Sequence, residues 1–549
     1  MKTPLSHWLA CAGATLLLMP ILAACGDPPS ATPAASAPTS VAAPTIAPAV
    51  PATSAPAPTR VDLSHARPKP FDAGLIAQLE PYISATMQRM GVPGAAVAIV
   101  QDGKVVFARG FGVRELGKPD PVTPDTLFMI GSDTKSMTTM MMATVVDDGK
   151  MAWDTPAVSV LPEFATGDPK LTPKITMRDL VCNCTGIQRH DTEAFLHTDE
   201  LNAQGALSVI RSLATFEFTG EFGKTFGYSN QMVASGGYLA ARAAGGATGD
   251  LRAAYVNQMQ RRVFDPIGMP STTFALDTVE ANPNHAIPHG RLADWSLVPI
   301  QPSLAHEQIA AVAPAGGAWS NVRDQARYLI TQLNQGVSPD QRRVVSAANL
   351  TKTWQPQVQI APEASYGLGW VSAPYKGARW LQHLGGTNGF ASDLGFLPDA
   401  NLGFVVLSNA ENNDPFLKAV HYRILELAFG QPNERDAQLI QMDDDAHQQA
   451  RAVLATLQPR IDQAAITPFL GRYTNPTYGT FALQLDQGRL MVDVGTMNFE
   501  LRSLGDGAYI GWNPPGGGIS FTLKEVAGQP VVTMIDPWTN QPVMFARAG

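Results

Sequence analysis

The chain has 549 residues, room for two or three domains and at least one large core. A net charge of -8 argues against nucleic acid as a partner, and 45% hydrophobic residues suit a soluble globular protein. Four cysteines in so long a chain exclude a disulfide framework as the device that holds it together.

Lys2 precedes an apolar run from Leu9 to Leu22, which is too short and too broken by Pro20 to make a good spanning helix. The run ends in Leu22-Ala-Ala-Cys25, which resembles a bacterial lipobox, so residues 1–25 read as a lipoprotein signal with Cys25 as the lipidated residue. Gly26 after the cysteine does not resemble an inner-membrane retention signal, which leans the placement toward the outer membrane, facing the periplasm. Residues 26–68 are Ala, Pro, Ser and Thr with almost no large apolar side chains. Such a stretch cannot bury enough surface to offset its ordering entropy, and it reads as a disordered tether.

The folded domain is expected over 69–430. Ile76 to Met87 has the spacing of an amphipathic helix despite Pro81. Gly94 to Val100, the turn Gln101-Asp-Gly-Lys104, and Val105 to Gly112 read as a β-hairpin. Phe128-Met-Ile-Gly-Ser132-Asp-Thr-Lys135 then runs into a Met- and Ala-rich apolar segment. Gly131 and Ser132 break the extended run and deliver the serine to the start of a buried helix, with Lys135 one turn on and on the same face. A serine hydroxyl needs a neighbouring base to become a nucleophile, and a lysine serves only with a lowered pKa. Alone, so short a pattern is also a helix cap with a surface lysine.

Two further stretches share this chemistry. Tyr228-Ser-Asn230 precedes a helix; a phenol among cations is expected to ionise below its usual pKa and shuttle a proton, and Asn230 offers a donor and an acceptor. His383-Leu-Gly385-Gly386 precedes two apolar strands joined at Pro398-Asp-Ala-Asn401, and its glycines let a strand backbone approach a substrate. With the hairpin and these three motifs in hand, the chain resembles the serine β-lactamase and penicillin-binding-protein superfamily, in its class C-like branch of esterases and D-aminopeptidases. Ser132-x-x-Lys135, Tyr228-x-Asn230 and His383-x-Gly385 stand where that branch has S-x-x-K, Y-x-N and K-T-G or H-x-G. Collinear support comes from Val181-Cys-Asn-Cys-Thr-Gly-Ile, from Phe264 to Phe274 and from Pro314 to Tyr328.

The resemblance implies an α+β domain, an antiparallel sheet flanked by helices with an all-helical lobe, and the site in the cleft between. It implies Ser132 as nucleophile, Lys135 and Tyr228 as the proton-exchanging pair, and the amides of Ser132 and Gly386 as the oxyanion site. Asn230, His383 and Gly385 would hold substrate. The reaction implied is hydrolysis of an ester, amide or lactam carbonyl through an acyl-enzyme, by an esterase or peptidase; a true β-lactamase or a slowly deacylating penicillin-binding sensor is the alternative. The substrate would be a small molecule or a peptidoglycan-like peptide, with the membrane involved only through the lipid, and no metal or organic cofactor is implied. A neutral His383 in place of the lysine is expected to weaken attraction for a carboxylate.

Cys182-Asn-Cys184 with His190 and Asp191 fits no zinc spacing well, and the two thiols read as paired with each other or buried and free. Residues 431–465 read as a polar helical connector. From 466 to 549, alternating segments such as Thr480 to Leu485 and Ile519 to Lys524, split by Gly- and Asp-rich turns, predict a small antiparallel β-barrel or sandwich.

Overall fold

The computed structural model describes residues 61–187, 189–191, 205–245, 249–495 and 497–548. Cys25 and all but the end of the expected tether lie outside the described residues. That end already belongs to the fold. Leu63 is buried in the core, and its N–H donates to the Lys376 carbonyl at 2.6 Å. The folded part therefore begins a few residues before the expected boundary at 69, because one large apolar side chain among polar neighbours finds a pocket.

Helix α1 spans Ala73–Met90. The Asp72 side chain accepts from the N–H groups of Gly74 and Leu75, and Gly91 at φ 66° ends the helix in the left-handed conformation that glycine adopts at least cost. Leu79, Ile83, Met87 and Met90 recur at helical spacing on one buried face, while Pro81 lies on the exposed side, where water replaces the hydrogen bond it cannot make.

Strands β1 (Gly94–Gln101) and β2 (Lys104–Gly112) form the expected hairpin, joined by Asp102 and Gly103, both at positive φ. Later come β3 (Val358–Ala361), β4 (Ala364–Tyr366), β5 (Val371–Tyr375), β6 (Ala378–Thr387), β7 (Phe390–Leu397) and β8 (Leu402–Ser408). They complete one antiparallel sheet of order β2-β1-β8-β7-β6-β5-β4-β3. Side chains alternate across a strand, so one sheet feeds two cores. Ala96, Ala98 and Val100 of β1 join the larger core with the helical lobe, whose central helices are α2 (Thr134–Asp147) and α3 (Asn230–Ala243). Ala95, Val97 and Ile99 face the other way, against α1 and α4 (Asp414–Phe429).

The connector carries α5 (Asp436–Leu454). After it, eight strands β9 to β16, from Gly471–Asn475 to Pro542–Arg547, close into an antiparallel barrel through the pairing of Tyr473 with Arg547. Barrel, then, and not sandwich. Phe481 and Leu483, Phe499 and Leu501, and Phe521 and Leu523 point inward at every second position. Ala450 and Val453 of α5 pack with Ala293 of the first domain and Ile510 of the barrel, and the Ala293 N–H donates to the Trp512 carbonyl at 2.9 Å. The barrel is seated on that domain.

Helix α2 has no solvent face, since every residue from Thr134 to Val145 is buried. Truncating Met141, fully enclosed there, should cost about 2–5 kcal/mol, read as a lower urea midpoint for Met141→Ala.

Candidate active site

Ser132 lies in a single 3-10 turn, Gly131–Asp133, that feeds directly into α2. Gly131 is at φ 50°, and a Cβ there would stand 2.6 Å from the Gly386 amide nitrogen; a Cβ on Gly385 would stand 2.1 Å from the Ile130 carbonyl oxygen. Strand β6 thus rests directly on the turn that carries Ser132, an approach only glycine permits. Gly386 faces open space beside Ser132.

Lys135 is wholly buried, with Nζ 2.9 Å from Ser132 Oγ, 2.6 Å from Asn230 Oδ1 and 2.7 Å from the Ala315 carbonyl oxygen. Burial holds its pKa well below that of an ordinary lysine, against the raising influence of Asp191. In its neutral form the amine has two N–H donors and one lone pair; the two carbonyl oxygens then take the donors, and the lone pair faces the Ser132 hydroxyl.

The Tyr228 hydroxyl donates to Ser132 Oγ at 2.8 Å. Its expected ionisation is corrected by the structure: burial pushes the phenol above its ordinary pKa, more than Arg189 and the bond to Ser132 pull it down. Tyr228 is therefore held as a protonated donor to Ser132, and of the two side chains the buried amine of Lys135 is the one suited to accept a proton. The lysine Nζ and the Arg189 guanidinium lie 4.8 and 5.1 Å from the centre of the Tyr228 ring.

The loop Cys182-Asn183-Cys184 buttresses this tyrosine. Its two sulfurs form a disulfide, one of the two states left open by the sequence. Asn183 accepts the Ser229 N–H on its side chain and the Gly227 N–H on its carbonyl. Asp179, Cys182 and Cys184 lie within 4.8 Å of one another, but sulfurs joined in a disulfide offer no thiolate to a metal.

His383 sits on β6 behind Tyr228. It is buried, with Nε2 3.2 Å from the Tyr366 hydroxyl and Nδ1 2.7 Å from the Leu384 carbonyl oxygen. Burial and the proximity of Lys135 push its pKa down to about 3, so it is neutral. It offers no cation to a substrate.

Sequence reasoning missed Arg189 and placed Asp191 only in a metal set. Asp191 accepts both a bond from Arg189 and the Asn230 amide at 2.8 Å, so it fixes which end of Asn230 faces Lys135. Pro314-Ala-Gly-Gly was readable as a motif; that its Ala315 carbonyl binds the lysine was not, since a backbone acceptor leaves no mark in residue type.

A family model described as Beta-lactamase matches residues 79–429. The chain is 27% identical over 432 residues to an unguisins hydrolase of Aspergillus campestris, covering 74% of this chain and 77% of that protein. It is 23% identical over 376 residues to a beta-lactamase of Escherichia coli, covering 62% of this chain and 91% of the relative. Protein flp of Staphylococcus aureus matches at 23% over 337 residues, covering 60% of this chain and 62% of its own length. Among solved structures, the octameric penicillin-binding protein homologue from Pyrococcus abyssi superposes with a TM-score of 0.56 at 20% identity, covering 86% of this chain and 99% of that one.

The neutral His383 fixes a sign for acid stability. Between its unfolded pKa of about 6.5 and its folded pKa of about 3, the unfolded chain binds a proton that the native state refuses, so stability falls as pH drops through that window. Urea unfolding at pH 7 and pH 4.5 should show a smaller acid loss for His383→Gln than for the parent, by up to about 2 kcal/mol. An equal loss in both would remove His383 as a cause.

Proposed function

Because the chain belongs to the beta-lactamase family, we propose that it is a serine hydrolase that opens an ester or amide carbonyl through an acyl-enzyme on Ser132. The observation that carries this reading is the place of Ser132 Oγ, 2.9 Å from a buried lysine amine and 2.8 Å from a tyrosine hydroxyl. As the Oγ–carbon bond forms, the serine proton passes to the Lys135 lone pair. The backbone N–H groups of Ser132 and Gly386 receive the oxyanion. Tyr228 gives its proton to the leaving atom as that bond breaks. The resulting phenolate lies beside two cations, Arg189 and protonated Lys135, and it recovers a proton from the lysine. Water then adds to the acyl carbon, its proton removed by the same pair, and the Oγ–carbon bond breaks to restore Ser132.

A lactam is opened by the same steps, and the similarity to a beta-lactamase favours it as the second reading. We place the enzyme in the bacterial envelope, held by lipid on Cys25 at the end of its tether; Leu22-Ala-Ala-Cys25 supports that placement.

A fluorophosphonate probe should label Ser132, mapped by mass spectrometry, and Ser132→Ala should lose the label; an adduct elsewhere overturns the mechanism. Loss of the proton donor in Tyr228→Phe should slow acylation by about 10²–10⁴-fold. Since the base acts unprotonated, kcat/KM should rise with pH through an ionisation well below that of an ordinary lysine. A rise delayed to ordinary lysine pH would exclude Lys135 as the base.

A further inference from the structure

Arg189 is held from three directions. Its Nε donates to Asp191, its guanidinium carbon lies 3.5 Å from the centre of the Trp538 ring, and the Tyr228 ring is on its other flank at 5.1 Å. Trp538 does not come from the catalytic domain. It stands at the tip of the turn between Gln529–Ile535 and Pro542–Arg547, the last two strands of the barrel. The tip is stiff, because the buried Asp536 carboxylate accepts the N–H groups of both Trp538 and Thr539 at 2.8 Å, and the Asp536 N–H donates to the Gln541 carbonyl.

A guanidinium has five N–H donors in one plane. Here Nε is used by Asp191, and among the described residues the two terminal nitrogens make no hydrogen bond. Aromatic contact over its face leaves the guanidinium edge as its polar outlet, the geometry that takes a carboxylate through two parallel bonds. The Arg189 side chain keeps 20% of its surface exposed. Position says which part of a substrate would reach it. Tyr228 protonates the leaving group, and Arg189 lies beside that same ring. His383, buried and neutral, cannot compete for the anion.

We propose that Arg189, positioned by Asp191 and by Trp538 of the barrel, forms a subsite for a carboxylate carried on the leaving group of the substrate. The barrel is then a specificity element of the active site. This subsite rests on the acyl-enzyme reading above, and it names the substrates within that reading: esters or amides that release an acid-bearing alcohol or amine.

The test uses the full chain and two esters of one acyl group, phenyl and 3-carboxyphenyl, with the ratio of their kcat/KM values as the readout. The parent should favour the carboxylated ester by about tenfold or more, the range of a charge-assisted hydrogen bond. Arg189→Met should bring the ratio close to the bare reactivity ratio of the two esters in alkaline hydrolysis. Trp538→Ala, a change at a partly exposed turn that leaves the core untouched, should lower the ratio mainly through KM of the carboxylated ester. A parent ratio equal to the bare reactivity ratio, or a ratio unchanged in both variants, overturns the subsite. Turnover of both esters that survives Ser132→Ala instead overturns the acyl-enzyme reading, so the two failures are told apart.

Discussion

A lysine amine stripped of water is a poor cation and a good base, and the site is built around keeping Lys135 in that condition. Burial removes the solvent that would stabilise the charge, and two carbonyl oxygens occupy the N–H donors. Both acceptors have to be brought from far along the chain. Asn230 arrives at the start of α3, and Ala315 arrives on a short helical turn, Ala313–Gly316, wedged among the lobe helices. The Met-rich helix α2, buried from Thr134 to Val145, adds to that shielding from water.

The consequence is a division of charge that composition alone does not suggest. Burial disfavours the charged form of both Lys135 and Tyr228, while Arg189 and Asp191 form an ion pair one layer out. That pair holds Asn230 in orientation. A neutral inner shell within a fixed ionic frame reorganises little when charge develops, which is where preorganised sites gain their rate.

Much of this was legible in the sequence. Ser132, Lys135, Tyr228 and Asn230 stood out because hydroxyl, amine, phenol and amide occur at spacings that a helix start enforces, and their side chains do meet. The barrel was legible through period-two alternation, and the hairpin through Asp102-Gly103. What was hidden falls into two physical kinds. Burial depends on every neighbour at once, so the protonation of Tyr228 and the enclosure of His383 could not be read from residue type, although the neutrality of His383 could. Contacts between distant segments leave no local pattern, which hid Arg189, the carbonyl of Ala315 and the arrival of Trp538 from another domain. Leu63 is the smaller case, a lone apolar residue that a composition argument averages away.

The double-sided sheet bears on how the chain finds its alignment. In a sheet with one wet face, a strand that slips by one residue puts polar groups in the core, and polarity itself rejects the error. Strand β1 is buried from Gly94 to Gln101, so a slip would exchange Ala96 and Ala98 for Val97 and Ile99 with hardly any change in polarity. What differs at these positions is bulk: Ala96 and Ala98 toward the helical lobe, Val97 and Ile99 toward α1 and α4. Size is a weaker proofreader than charge, and the remaining discrimination falls to the hairpin, where Asp102 and Gly103 at φ 50° and 72° and the irregularity between Ile99 and Val100 admit one alignment of β1 with β2. A two-residue turn at the far end of the hairpin thereby acts as the ruler for the whole sheet, since β8 is laid against β1 and carries β7 and β6 with it to the edge of Ser132.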